Sequence, residues 1–209
     1  MRFFVFLLLS GFALAGPFAL APSVHAQTTG QGDVEVTQEG DDLEQLDARA
    51  DETLNSLFDD LRRQTRASAA NRISRKIWTE WGKSGSDSID LLMQRAWESM
   101  TSKQNNVALD LLDQIIVLAP DYAEGWNRRA TLHFALKEYG RSISDIERVL
   151  ELEPRHFGAL SGLAVILQGL GRKEKSLETW YKVLEIYPAN EQAQKAVIKI
   201  EDELAGNPT

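Results

Sequence analysis

The sequence contains no cysteine. Disulfides are therefore excluded even in an oxidising compartment, and so is a lipid anchor on an N-terminal cysteine. Histidine is scarce. Beyond the first 26 residues only His133 and His156 occur, one at a packing position and one at a turn, with no second ligand at metal-binding spacing. No metal and no cofactor are expected. There is no glycine-rich phosphate loop, since the glycines from Gly158 to Gly171 are spread along a helical stretch. There is no nucleophile elbow either: Gly158-Ala159-Leu160-Ser161-Gly162 has the wrong spacing. A basic excess is also missing, with 23 Lys and Arg against 31 Asp and Glu and a net charge of −8. Such a chain has no electrostatic footprint for nucleic acid or anionic lipid. The plentiful carboxylates read as solvated helix surface, so no catalytic residues are expected and the chain is not expected to be an enzyme.

Long apolar sequence is confined to the start. Arg2 precedes a nearly unbroken apolar run from Phe3 to Ala15, and Gly16, Pro17 and Pro22 break the helix beyond it. Val24-His25-Ala26 offers modest side chains before a cut at Gln27, the order of a secretory signal peptide over 1–26. Ala19-Leu20-Ala21 also fits the small-residue rule, but Pro22 would come directly after that cut. The rival reading is an uncleaved anchor, since Phe3 to Ala21 approaches spanning length. Export to a periplasm is the expectation, with release from the cell as its alternative.

The acidity is uneven. Residues 27–52 hold nine acids against one base, Arg49, and the remainder is close to neutral. Residues 27–40 are polar and without apolar period, which predicts a disordered acidic tail. From Asp41, Leu43, Leu46, Ala50, Leu54, Leu57, Phe58 and Leu61 recur at three and four, predicting an amphipathic helix over 41–65. A second helix runs from about Ser68 to Trp81, with Ile73, Ile77, Trp78 and Trp81 on one side and Gly82 at its end.

Pro120, Pro154 and Pro188 then stand 34 residues apart. With each proline at position 32, three units run 89–122, 123–156 and 157–190. Position 8 is Ala96, Ala130 and Ala164, and position 20 is Ala108, Ser142 and Ser176. Small residues there let two antiparallel helices approach closely. Position 4 carries Leu92, Trp126 and Leu160, and position 24 carries Leu112, Ile146 and Trp180, which fill the space between units. The prolines end the second helix of each unit. Each unit alone would expose an apolar face, so several must stack. Residues 191–205 predict an amphipathic capping helix with Ala193, Ala196, Val197, Ile200 and Leu204 inward. Counting back one period makes 55–88 a degenerate zeroth unit within the N-terminal helices 41–88, with Phe58 at position 4, Leu61 at 7 and Trp78 at 24. The fold class is all-α, a short solenoid of helix pairs.

The period and the residues at positions 4, 8, 20, 24 and 32 resemble the tetratricopeptide repeat (TPR) over about half the chain. Position 11 departs from the usual aromatic, being Ser99, His133 and Leu167, and position 27 departs from alanine, being Ile115, Val149 and Val183. The whole is similar to small periplasmic TPR proteins of alphaproteobacteria, on the strength of Ile77-Trp78-Thr79-Glu80-Trp81 and the stretches starting at Pro120 and Pro154. That resemblance implies a role in cell-envelope maintenance. It also implies that positions 2, 5, 9, 12 and 13 face a concave, protein-binding groove. Here these give Met93, Trp97, Met100, Asn127, Thr131, Phe134, Val165 and Gln168, with Asp90 and Glu124 at the mouth. TPR domains that clamp acidic chaperone tails carry lysine and asparagine at positions 5 and 9 of their first unit. Met93 and Trp97 replace them, so a carboxylate clamp is not expected.

Two occupants of that apolar floor fit the sequence: a partner, or the protein's own N-terminal helix. Arg62, Arg63, Arg66, Arg72, Arg75 and Lys76 form a basic run with no acid from Leu61 to Thr79. It is either a docking patch for an acidic partner or a solvated face answered by the acidic leader. Two binding roles are open. One is a scaffold or adaptor that holds a peptide or helix of an envelope protein. The other is an oligomerising envelope or division coordinator that self-associates through helix 41–65, where only about three heptads are available.

Overall fold

The computed structural model describes residues 52–206, which are helical with no strand. The expected signal peptide and acidic tail lie outside the described residues. Helix α1 covers 52–63 and α2 covers Ala67–Trp81. Three helix pairs come next: α3 (Asp87–Thr101) with α4 (Asn105–Leu118), α5 (Ala123–Ala135) with α6 (Tyr139–Leu152), and α7 (Phe157–Gly169) with α8 (Lys173–Ile186). Helix α9 (Glu191–Leu204) closes the array.

The 34-residue frame places these helices because each of its positions has a distinct steric task. Ala96, Ala108, Ala130, Ser142, Ala164 and Ser176 are all buried where paired helices cross. In units 2 and 3 the position-20 hydroxyl adds a bond: Ser142 Oγ donates to the Ala130 carbonyl and Ser176 Oγ to the Ala164 carbonyl, each at 2.8 Å. Ile115, Val149 and Val183 at position 27 are fully buried, so the larger residues fill space rather than disturb the packing. Burying each such side chain is worth roughly 1.5–3 kcal/mol.

The turn inside each unit is built the same way three times. Position 15 has left-handed backbone at Lys103 (φ 60°), Lys137 (φ 62°) and Gly171 (φ 74°). The next residue's amide then reaches back to the helix: Gln104 N–H donates to Ser99 O, Glu138 N–H to His133 O and Arg172 N–H to Leu167 O. This paired closure satisfies carbonyls that the helix end would otherwise leave open. On α9, Ala193, Val197 and Ile200 point inward as expected, whereas Leu204 is exposed at the helix end.

The zeroth unit is not what forms. Phe58, Leu61, Ala70, Ile77 and Trp81 belong to one core with Phe157, Leu160, Trp180, Val183, Tyr187 and residues of α9. The first helix pair therefore packs on unit 3 and the cap, not in front of unit 1. Arg62 gives the steric reason. It falls at position 8 of the supposed unit, where close helix approach needs a small residue. The five residues between α2 and α3, with Gly85 at φ 76°, let the chain turn away. Ring stacking fixes the new location. Trp81 lies parallel to the His156 imidazole with centroids 4.1 Å apart, and Trp78 meets Phe157 edge-on at 5.6 Å. Arg155 sits 4.2 Å above the Phe58 ring and donates to Asn55 Oδ1 at 2.7 Å. Tyr187 donates its hydroxyl to Asn71 Oδ1.

Candidate functional site

The first helices of the three units, α3, α5 and α7, line the concave face, and α2 lies across part of it. The pattern obeys the frame. At positions 2 and 5 of units 2 and 3, Glu124 and Asn127 are buried, and Gly158 lies against Trp78. At positions 9 and 12 the face is open. Trp97 is 51% exposed and Phe134 38%; Thr131 is exposed, and Met100, Val165 and Gln168 are half-buried, as is Met93 at position 5 of unit 1. The groove is thus shared: the protein's own α2 takes one end and leaves the other to solvent.

A cleft of about 210 Å³ opens beside Phe134. Ala130, Ile146, Gly162, Val165 and Ile166 make its wall largely apolar, and Asn127, Thr131, Ser142, Ser161 and Gln192 also line it. Trp97 stands on the neighbouring helix with the Arg128 guanidinium 5.2 Å from its ring centre, a cation–π contact that orients the indole. A wider cleft of about 510 Å³ lies between α2 and the groove floor, with Ser74, Asn127, Arg128, Ser161 and Gln192 in its wall.

Under α2 the polar groups are mutually committed. Glu124 is held by Arg128 at 2.8 Å and accepts from the Asn127 amide at 2.8 Å. The Arg128 approach to Oε1 is a charge contact without hydrogen-bond alignment. His156 Nε2 lies 3.4 Å from Glu124 Oε2, while its Nδ1 accepts the Ala159 amide and caps α7. Tyr122 donates to the Gly82 carbonyl at 2.9 Å, tying the end of α2 to the array. Burial, and then the Glu124 and Asp90 carboxylates, raise the Tyr122 phenol above its ordinary range, so it remains a donor.

Several site expectations change accordingly. The frame puts Asn127 and Glu124 on the open floor and mouth, yet both are buried, Glu124 beside His156, the cap of α7, and Asn127 bonded to Glu124. Asp90 is exposed as expected and accepts from Ser84. Arg62, Arg63, Arg66, Arg72, Arg75 and Lys76 are all exposed, and among the described residues only Arg63 has an ion-pair partner, Asp60 on its own helix. The acidic leader that could answer them lies outside the described residues. Helix 41–65 is expected to offer an apolar face for self-association. Over 52–63 that face is spent inside the protein, since Phe58 and Leu61 are buried and Leu54 and Leu57 pack on the same core. Among the described residues no three His, Asp or Glu side chains gather as metal ligands.

The cleft itself was missed by sequence reasoning. Its signal was present in Gly158 and Gly162, two glycines near the start of α7 where units 1 and 2 carry larger residues. A Cβ on Gly158 would come within 2.5 Å of Trp78, whereas one on Gly162 would find Ile146 at 3.7 Å. The first glycine makes room for α2 and the second keeps the cleft open.

Comparison with known proteins agrees with this architecture. A family model described as tetratricopeptide repeat matches residues 123–156. A TPR repeat-containing protein of Rhizobium etli is 50% identical over 156 residues, 75% of this chain and 76% of that protein. The small glutamine-rich tetratricopeptide repeat-containing protein 2 of Saccharomyces cerevisiae is 32% identical over 97 residues, 46% of this chain but 28% of the yeast protein. Among solved structures, the first TPR domain of Spaghetti bound to an HSP90 peptide superposes with a TM-score of 0.53 at 22% identity, covering 56% of this chain and 93% of that one. MamA gives a TM-score of 0.53 at 20% identity, covering 68% and 80%. Period, helix pairing and the long match to the Rhizobium protein together place this chain in the tetratricopeptide-repeat family.

Proposed function

We propose that the protein is a non-enzymatic interaction module that holds an apolar peptide or helix of a cell-envelope protein in the open half of its concave groove. The carrying observation is the pair Trp97 and Phe134, large apolar side chains left exposed on successive first helices, with Phe134 at the lip of a largely apolar cleft. An aromatic that a fold leaves in water at a concave surface gains its free energy when a partner covers it. The Spaghetti domain was solved with a peptide bound, which supports peptide binding as a use of this fold. The Val24-His25-Ala26 site supports export, and the periplasm is the proposed compartment.

Crosslinking in intact cells, with affinity recovery afterwards, tests the reading. Apolar anchors in a desolvated groove typically carry about 2 kcal/mol each, roughly 30-fold in affinity. Trp97→Ala or Phe134→Ala should therefore abolish recovery of the partner while helical content holds. Charge reversal at Arg62, Arg63 and Arg66 should matter less, since exposed ion pairs contribute about 0–1 kcal/mol and fade with salt. Mass spectrometry of the recovered bait should find Gln27, or pyroglutamate from it, at the N-terminus. If the arginine reversals abolish recovery and the aromatic truncations do not, the basic face is the site. A bait that retains Met1 in the membrane fraction would refute cleavage and favour the uncleaved anchor.

A further inference from the structure

Each unit of a stacked array has a leading face that the preceding unit covers. In unit 2 position 3 is Gly125, buried so tightly that a Cβ would sit 2.9 Å from Ile115 of unit 1. Position 7 is Arg129, which bridges Asp113 of unit 1 at 2.6 Å and Asp145 of its own unit at 2.7 Å. In unit 3 position 3 is Ala159, also buried. Among the described residues nothing precedes unit 1 in the stack, because α1 and α2 pack on unit 3 and the cap. Position 3 of unit 1 is Leu91, 48% exposed, and position 7 is Arg95, exposed with no ion-pair partner among the described residues.

A bare end would be expected to turn polar, as capping repeats do. This one does the opposite. Position 19 is Val107, 47% exposed, where units 2 and 3 have Arg141 and Lys175. Position 29 is Val117, 78% exposed, where they have Glu151 and Glu185. Position 23 is Leu111 in place of Asp145 and Thr179. Val107, Leu111 and the exposed Leu118 succeed one another at four and seven residues, one stripe along α4. Leu118 has apolar counterparts in Leu152 and Ile186, but Val107, Leu111 and Val117 stand at positions that units 2 and 3 fill with charge or hydroxyl.

We propose that two copies of the chain pair through this end, α3–α4 against α3–α4 about a two-fold axis. The stripe continues the interface by which the units already stack within one chain. The other end of the array cannot serve as its counterpart. The outer face of α9 shows Gln194, Lys195, Glu201 and Asp202 beside Ile198, with Leu204 exposed at the helix end, so head-to-tail stacking would bury charge against leucine and valine. The apolar match on this chain is the same patch on a second copy, and a self-complementary patch closes into a dimer. The rim carries Arg95 and Asp110, both exposed and unpaired among the described residues, one of each sign, so two copies can answer each other's charges.

Sedimentation equilibrium of the purified protein over a concentration series tests this. The expected mass is twice that of the chain. Val107→Arg and Leu111→Thr copy what unit 2 (Arg141) and unit 3 (Thr179) carry at the same positions, so the fold tolerates them. Each acts twice across a two-fold axis, and each should weaken dimerisation at least tenfold with unchanged helical circular dichroism. Gln114→Cys, placed in the stripe of a chain that has no cysteine, should give one cross-linked dimer with a short bis-maleimide. A monomer at every concentration up to about 100 µM would overturn the proposal. So would a dimer indifferent to both substitutions, or open-ended assemblies.

Discussion

Units 2 and 3 and the α1–α2 pair are all helix pairs joined by short turns, but different contacts hold them. Inside a unit the decisive contacts are local: Ser142 bonds a carbonyl twelve residues away, and the crossing depends on small side chains. The α1–α2 pair is fixed by groups far along the chain. Arg155 reaches Asn55 across one hundred residues, and Trp81 stacks on His156. The first arrangement excludes bulk and the second requires it. A helix pair can therefore share the length of a repeat without sharing its rule.

That difference can be broken at three strengths. Ala130→Trp should have the largest effect, because position 8 has no free volume and overpacking there costs about 3 kcal/mol or more. For a chain of this size the thermal midpoint should fall by roughly 6–12 °C, and an unchanged midpoint would show that close helix approach is not what holds the units. A paired substitution on α7 is subtler. Alanine is favoured over glycine in a helix by up to about 1 kcal/mol, so Gly162→Ala, which meets nothing closer than 3.7 Å, should stabilise. Gly158→Ala should instead destabilise by about 1 kcal/mol, because its new methyl must displace Trp78. Tryptophan fluorescence should shift for the second variant alone, and equal denaturation midpoints for the two would remove α2 from the groove. The smallest effect concerns the unit turns. Lys137→Gly relieves a left-handed backbone that Gly171 already accommodates at the same position in unit 3, and should raise the urea midpoint by the equivalent of about 0.5 kcal/mol.

The array was legible in the sequence because a repeated steric task leaves a repeated residue. Ala96, Ala130 and Ala164 set the register, and the prolines stand just past the ends of α4, α6 and α8. The same frame puts Trp97 and Phe134 at positions 9 and 12, where both are exposed. What could not be read was the destination of α2, since its partners lie in other elements and no period links them. Asn127 and Glu124 are misplaced because Glu124 is buried beside His156, the cap of α7, and holds Asn127, contacts that the frame does not specify. One local warning did exist, Arg62 at a position that needs a small side chain.

The Trp81–His156 stack also alters how the molecule comes apart. A simple solenoid is a row of weakly coupled steps and can fray from either end. Here the chain's early residues grip the last unit and its cap, so the C-terminal end cannot loosen without first parting those rings. Closing that grip brings together segments about 80 residues apart, at an entropic cost on the order of 4 kcal/mol. Contacts inside each unit are local, and so long a closure is of the kind that forms more slowly. A row that could otherwise open from both ends is thereby pinned at one of them.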